Sequence, residues 1–156
     1  MIRTGLALIL RTRAALIVGA VLAAGALAAF ALRAADDSAQ RCFADEGETA
    51  IASCTRAIES GRFRGAELAA IYGNRAIELR QRGDYDRAIA DYSEAIRFDT
   101  GLAGAYAGRG LAYEGANEIE KAKSDYRAAL KISPNHADGA WAHDIARTRL
   151  AVLAPS

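Results

Sequence analysis

The chain is 156 residues long, about the length of one domain, with 52% apolar residues and a formal net charge of +1. Nothing in the composition points to disorder, a collagen-like repeat or a disulfide-dense scaffold. Arg3, Arg11, Arg13 and Arg33 are the only charges before Asp36, while the body beyond holds 16 basic and 19 acidic residues. Its net charge of −3 excludes the basic stripe on which nucleic-acid affinity rests.

The first 35 residues include 26 apolar ones and form a membrane-directed head. Ala14 to Leu32 is a run of 19 uncharged residues preceded by Arg11 and Arg13, a flank expected to keep the N-terminus cytoplasmic while the body is exported. Two readings stay open. Small residues such as Ala29 and Ala31 suit signal cleavage, whereas 19 residues exceed the usual signal core of about 7–15 and approach the ~20 that span a bilayer. The expected location is therefore periplasmic, either soluble after cleavage or tethered to the inner membrane by residues 14–32. Only this N-terminal segment is expected to touch the membrane.

Residues 36–65 read as a short, irregular helix pair. Ala50-Ile51-Ala52 and Ala57-Ile58 recur 38 residues later as Ala88-Ile89-Ala90 and Ala95-Ile96, so 48–59 is a second helix and 38–44 a truncated first one. Ser60 to Gly65 lengthens the connector. Residues 69–102 then align with 103–136 at a period of 34, with seven identities that include Tyr72/Tyr106, Arg75/Arg109, Asp91/Asp125 and Tyr92/Tyr126. Within each unit the spacing is helical: Tyr72, Ala76 and Leu79 share one face, as do Ala88, Tyr92, Ala95 and Phe98, with Gly83-Asp84 as the turn. Small residues at Ala76/Gly110 and Ala88/Ala122 allow close helix approach beside the tyrosines. After Pro134, residues 137–153 carry apolar Ala140, Trp141, Ile145, Leu150 and Val152 among polar partners, which fits a terminal helix covering the last repeat.

Residues 69–136 resemble tetratricopeptide repeats. The family pattern W-x₂-L-G-x₂-Y, A-x₃-F, Ala and Pro is matched by Tyr72, Ala76, Leu79, Ala88, Tyr92 and Ala95, then by Tyr106, Gly110, Tyr113, Ala122, Tyr126, Ala129 and Pro134. Thr100 replaces Pro, Asn117 replaces the turn glycine, and Arg75 and Arg109 replace Leu. The resemblance implies an all-α fold: a helix-turn-helix solenoid of about three pairs in a domain 36–156, closed by the capping helix and following the apolar head. It also implies a non-enzymatic module that binds a peptide or protein in a groove formed by the first helices. That groove would offer Asn74, Ile77, Arg80, Gln81, Gly108, Leu111 and Glu114. Relatives that grip a carboxylate-terminated tail use several Lys, Arg and Asn side chains there; of these only Asn74 is present. The alternative is a structural component that self-associates as a homo-oligomer or assembles an envelope complex.

Arg75 and Asp91 lie 16 residues apart on the two helices of one unit, and Arg109 and Asp125 repeat the spacing. The repetition predicts structural ion pairs, with anion binding by the arginines as the rival. Cys54 takes the inward slot of Tyr92 and Tyr126, with Cys42 near the end of the opposing short helix, so export predicts a Cys42–Cys54 disulfide. No catalytic residue, cofactor or metal site is expected. His136 and His143 are too far apart for a compact ligand pair and read as solvated or capping residues. Gly104, Gly108, Gly110 and Gly115 match no phosphate loop and are expected to weaken their helix and leave its groove surface shallow.

Overall fold

The turns between paired helices set the geometry of the repeats. Gly83 adopts a left-handed φ of +79°, and its N–H donates to Arg80 O at 3.0 Å while Asp84 N–H donates to Leu79 O at 2.9 Å. These bonds satisfy the last carbonyls of the helix before the chain reverses. The second unit repeats the arrangement with Asn117 at φ 61°, donating to Glu114 O at 2.9 Å, and with Glu118 N–H donating to Tyr113 O. Asparagine tolerates the left-handed region better than most side chains, so the turn survives loss of its glycine.

The computed structural model describes residues 37–134 and 138–154, and all regular structure among them is helical. The chain divides into a unit Met1–Asp37 and a unit Ser38–Ser156. The apolar head, with its signal or anchor segment, and His136 lie outside the described residues. In the second unit, helical residues 38–44 (α1) precede α2 (Gly47–Glu59), α3 (Gly65–Gln81), α4 (Tyr85–Phe98), α5 (Ala103–Gly115), α6 (Ile119–Ala129) and α7 (Gly139–Val152). From α2 onward each helix packs on its successor, and α5 also touches α3 and α7. No helix among the described residues is long and apolar enough to cross a membrane.

Burial follows the helical stripes. Ala88, Tyr92 and Ala95 of α4 pack against Ala76 and Leu79 of α3, and Ala122, Tyr126 and Ala129 of α6 pack with Ala103 and Ala107 of α5. Phe98 is half-buried and stacks on Tyr72 with ring centroids 5.9 Å apart.

The capping helix packs on α5 and α6, with Ile145 and Leu150 against the Tyr126 cluster. Its buried side is Gly139, Ala142, His143 and Ala146, at helical spacing, while Ala140, Trp141 and Val152 are exposed. Small residues allow close packing here: a Cβ on Gly139 would lie 2.7 Å from the Pro134 backbone. His143 is buried rather than solvated, and its Nε2 donates to Ile132 O at 2.8 Å, satisfying a carbonyl beyond the end of α6. It stands 34 residues after Arg109, so α7 continues the repeat with histidine in the arginine position.

Candidate functional site

The first helices of the pairs line a pocket of about 330 Å³. Its wall on α3 is Ala69, Ala70, Gly73, Asn74 and Ile77, and α5 adds Gly104 and Ala105. Phe43 of α1 and Trp141 of α7 stand at its edges with Leu102 and Tyr92, and Asp138 contributes a carboxylate. Small side chains at the wall create the concavity. Three bulky apolar side chains beside it remain open to solvent: Phe43 is 55% exposed, Trp141 50% and Ile77 38%.

Two polar groups of the pocket are tied to the scaffold. Asn74 Nδ2 donates to Cys42 O, joining α3 to α1. Asp138 Oδ2 accepts the Gly104 N–H at 2.7 Å, joining the start of α7 to α5. Nearby Glu78 is buried and accepts the Gly47 N–H at 2.7 Å, placing a carboxylate at the N-terminus of α2.

The glycines of α5 are sockets. A Cβ on Gly108 would lie 2.5 Å from Tyr92 Cζ, and one on Gly110 would lie 2.6 Å from Tyr126 Cε1. Tyr85 covers Gly115 and Asp138 covers Gly104 in the same way. Neighbouring side chains thus occupy the surface expected to be shallow, because a missing Cβ is what admits a ring between helices. Burial raises the Tyr92 phenol above its ordinary value.

Of the seven groove residues expected from the resemblance, only Asn74 and Ile77 line the pocket. Gly108 lies beneath Tyr92, and Leu111 packs against the Tyr126 cluster. Glu114 accepts from Tyr126 Oη and from Arg149 Nε at 2.9 Å, bridging α5 to α7. Hydrogen bonding from Arg149 holds the Glu114 carboxyl below its ordinary value, while burial foremost, with Glu114 second, pushes the Tyr126 phenol up. Arg80 does not line the pocket and its buried Nε has no hydrogen-bond partner among the described residues, and Gln81 is exposed. Among these residues it is Glu114 that α7 engages, through Arg149.

The four ion-pair residues form two matching networks. Arg75 donates to Asp91 from Nε at 2.7 Å and Nη2 at 2.8 Å, and Arg109 donates to Asp125 at the same two distances. The third nitrogen of each guanidinium reaches the preceding pair: Arg75 Nη1 donates to Thr55 Oγ1 and Arg109 Nη1 to Ser93 Oγ, both at 2.9 Å. Those hydroxyls donate in turn to Ile51 O and Ile89 O. Each arginine therefore joins three helices through charge-assisted bonds. Thr55 and Ser93 escaped notice, although the 38-residue shift that aligns Cys54 with Tyr92 also aligns these two.

Cys42 and Cys54 form a disulfide with a Cα separation of 4.6 Å, and both are fully buried beside Ala57 and Ile71. Among the described residues no group of three or more His, Cys, Asp or Glu could hold a metal ion.

Paired helices, Schellman turns and a pocket on the first helices define a tetratricopeptide-type solenoid. Residues 77–117 match the model described as TPR repeat, and residues 103–136 match that described as Tetratricopeptide repeat. Among solved structures the chain is similar to the Arabidopsis OM64 TPR domain, at 24% identity over 76% of this chain and 98% of that one, with a TM-score of 0.61. It is also similar to the second TPR domain of the human RPAP3 protein, solved in complex with the HSP70 peptide SGPTIEEVD, at 24% identity over 81% and 98% with a TM-score of 0.62. The first TPR domain of human RPAP3 gives 21% identity over 79% and 94%, with a TM-score of 0.57. These likenesses establish the fold. Among curated proteins none matches the chain.

Proposed function

We propose that the solenoid is a non-enzymatic interaction module that holds a segment of a protein partner in the pocket along α1, α3, α5 and α7. The observation that carries this reading is the concave apolar wall of about 330 Å³ flanked by solvent-exposed Phe43, Ile77 and Trp141. Bulky apolar groups kept in water around a concavity mark a docking site. The peptide held by the second RPAP3 domain supports the same use of the fold. We further propose that the body works outside the cytoplasm, in the periplasm, soluble or tethered by residues 14–32. The Arg-flanked apolar run and the Cys42–Cys54 disulfide support this location.

A photo-crosslinking residue at Ile77 tests the groove in living cells, with a second at exposed Arg127 of α6 as the control. A defined partner is expected from position 77 alone. Equal products from both positions overturn the groove, and dimers of this chain point to self-association instead. A reporter active only outside the cytoplasm, fused after Ser156, is expected to be active; a stable but silent fusion overturns export.

A further inference from the structure

Three aromatic side chains and one carboxylate meet at the pocket. Phe43, Tyr92 and Trp141 line it together with Asp138, and no Lys or Arg is among the lining residues. Two glycines of α5 bring part of this set together. Gly104 lies under the Asp138 carboxylate, where a Cβ would come within 2.5 Å of Oδ2, and Gly108 lies under Tyr92, where a Cβ would come within 2.5 Å of Cζ. The two glycines are one helical turn apart, about 6 Å along the axis. Trp141 follows Asp138 by three residues, one turn into the start of α7.

The carboxylate is half used. Its Oδ2 accepts the Gly104 N–H, while Oδ1 caps no backbone group of α7 and joins no ion pair among the described residues. A smaller cavity of about 230 Å³ shares Phe43 and Ala70 with the pocket, and its charged lining residue is Glu67, again an acid and again outside those ion pairs. The charge lining both cavities is therefore negative. A carboxylate beside aromatic faces suits a cation, which is drawn by the acid and by ring quadrupoles within about 6 Å. Because the wall leading to Asp138 is apolar, the cation that fits it carries a hydrocarbon stem.

We propose that the pocket receives the side chain of an arginine or lysine of the partner segment, its stem along the small residues of α3 and α5 and its charged head at Asp138 beside Tyr92 and Trp141. This rests on the groove reading above and adds the chemistry of the occupant. A protein side chain is the source, because a bulky apolar neighbour in the same segment covers Phe43 and Ile77, which a small free cation would leave in water.

The test selects random dodecapeptides, displayed internally so that none offers a free N-terminal amine, on the full-length chain in detergent. Binders are expected to carry Arg or Lys within a few residues of a bulky apolar side chain. Replacing that base with Met, or Asp138→Asn in the protein, is expected to weaken binding about tenfold, and the two together no further. Asp138→Asn keeps an oxygen for the Gly104 N–H, and the peptide change leaves the protein untouched, so the outcome does not hinge on folding. Asp144→Asn, exposed on α7 and outside the pocket lining, should change nothing; an equal loss there reduces the effect to the general attraction of an acidic body and overturns the proposal. Basic binders unmoved by Asp138→Asn overturn it too. Binders without a basic preference that are lost in Ile77→Asp overturn the cation site and leave the groove standing. Binders indifferent to Ile77→Asp, or no binders at all, overturn the groove and this inference with it.

Discussion

The first helix pair and the third solve the same packing problem by different chemistry. In α5 and α6 the slot between the helices is filled by Tyr126, seated on Gly110 and tied through Glu114 to α7. In α1 and α2 the equivalent slot holds Cys54, and α1 is joined to it by a disulfide. The aromatic solution needs a full-length partner helix, whose glycine admits the ring and whose other residues bury it. In the first pair a covalent link ties α1 to α2 where the third pair has a buried ring.

Removing each device sharpens the contrast. Tyr126→Ala deletes a fully buried ring and opens a cavity between three helices, with an expected loss of about 4 kcal/mol, read from urea denaturation. Replacing Cys42 and Cys54 together with serine opens a loop spanning 12 positions and is expected to cost about 3 kcal/mol, measured the same way. A smaller loss than from any surface mutation would show that the staple is ornamental. Asp91→Ala leaves Arg75 with Thr55 as its hydrogen-bond partner among the described residues, at 2.9 Å. Because the Arg75 side chain is 16% exposed, the expected loss is about 2 kcal/mol, between the values for buried and surface pairs. Arg75→Leu combined with Asp91→Ala should recover part of that loss; strict additivity in thermal melts would count against the pairing.

The smallest effect concerns Glu114. Its folded-state pKa lies below the ordinary 4.5 because Arg149 hydrogen-bonds its charged form. The stability it adds is therefore fully present above that ordinary value and disappears as pH falls through the depressed one. Melting temperatures of the parent chain and Glu114→Gln are expected to differ at neutral pH and converge in acid. A constant difference across that range would assign the effect to packing.

Periodic features were legible in the chain: paired helices from the 34-residue register, the turn from Gly83-Asp84, and the arginine–aspartate pairing from equal spacings. Features made by the meeting of distant surfaces were not. Gly108 and Gly110 look like helix weaknesses in one dimension, since a glycine's sequence neighbours do not reveal the ring that will lie on it. Trp141 and Val152 look like core by residue type, yet the face of α7 is decided by the narrow space above α5, which selects Gly139, Ala142 and Ala146.

Trp141 is the sole tryptophan of the chain, and it stands half-exposed at the edge of the pocket. The protein thus carries its own optical reporter, positioned where an apolar side chain entering the proposed groove would strip water from the indole. Occupancy would appear as a shift of emission to shorter wavelength in an unlabelled sample, read with excitation at the red edge of the indole band so that the 6 tyrosines stay dark.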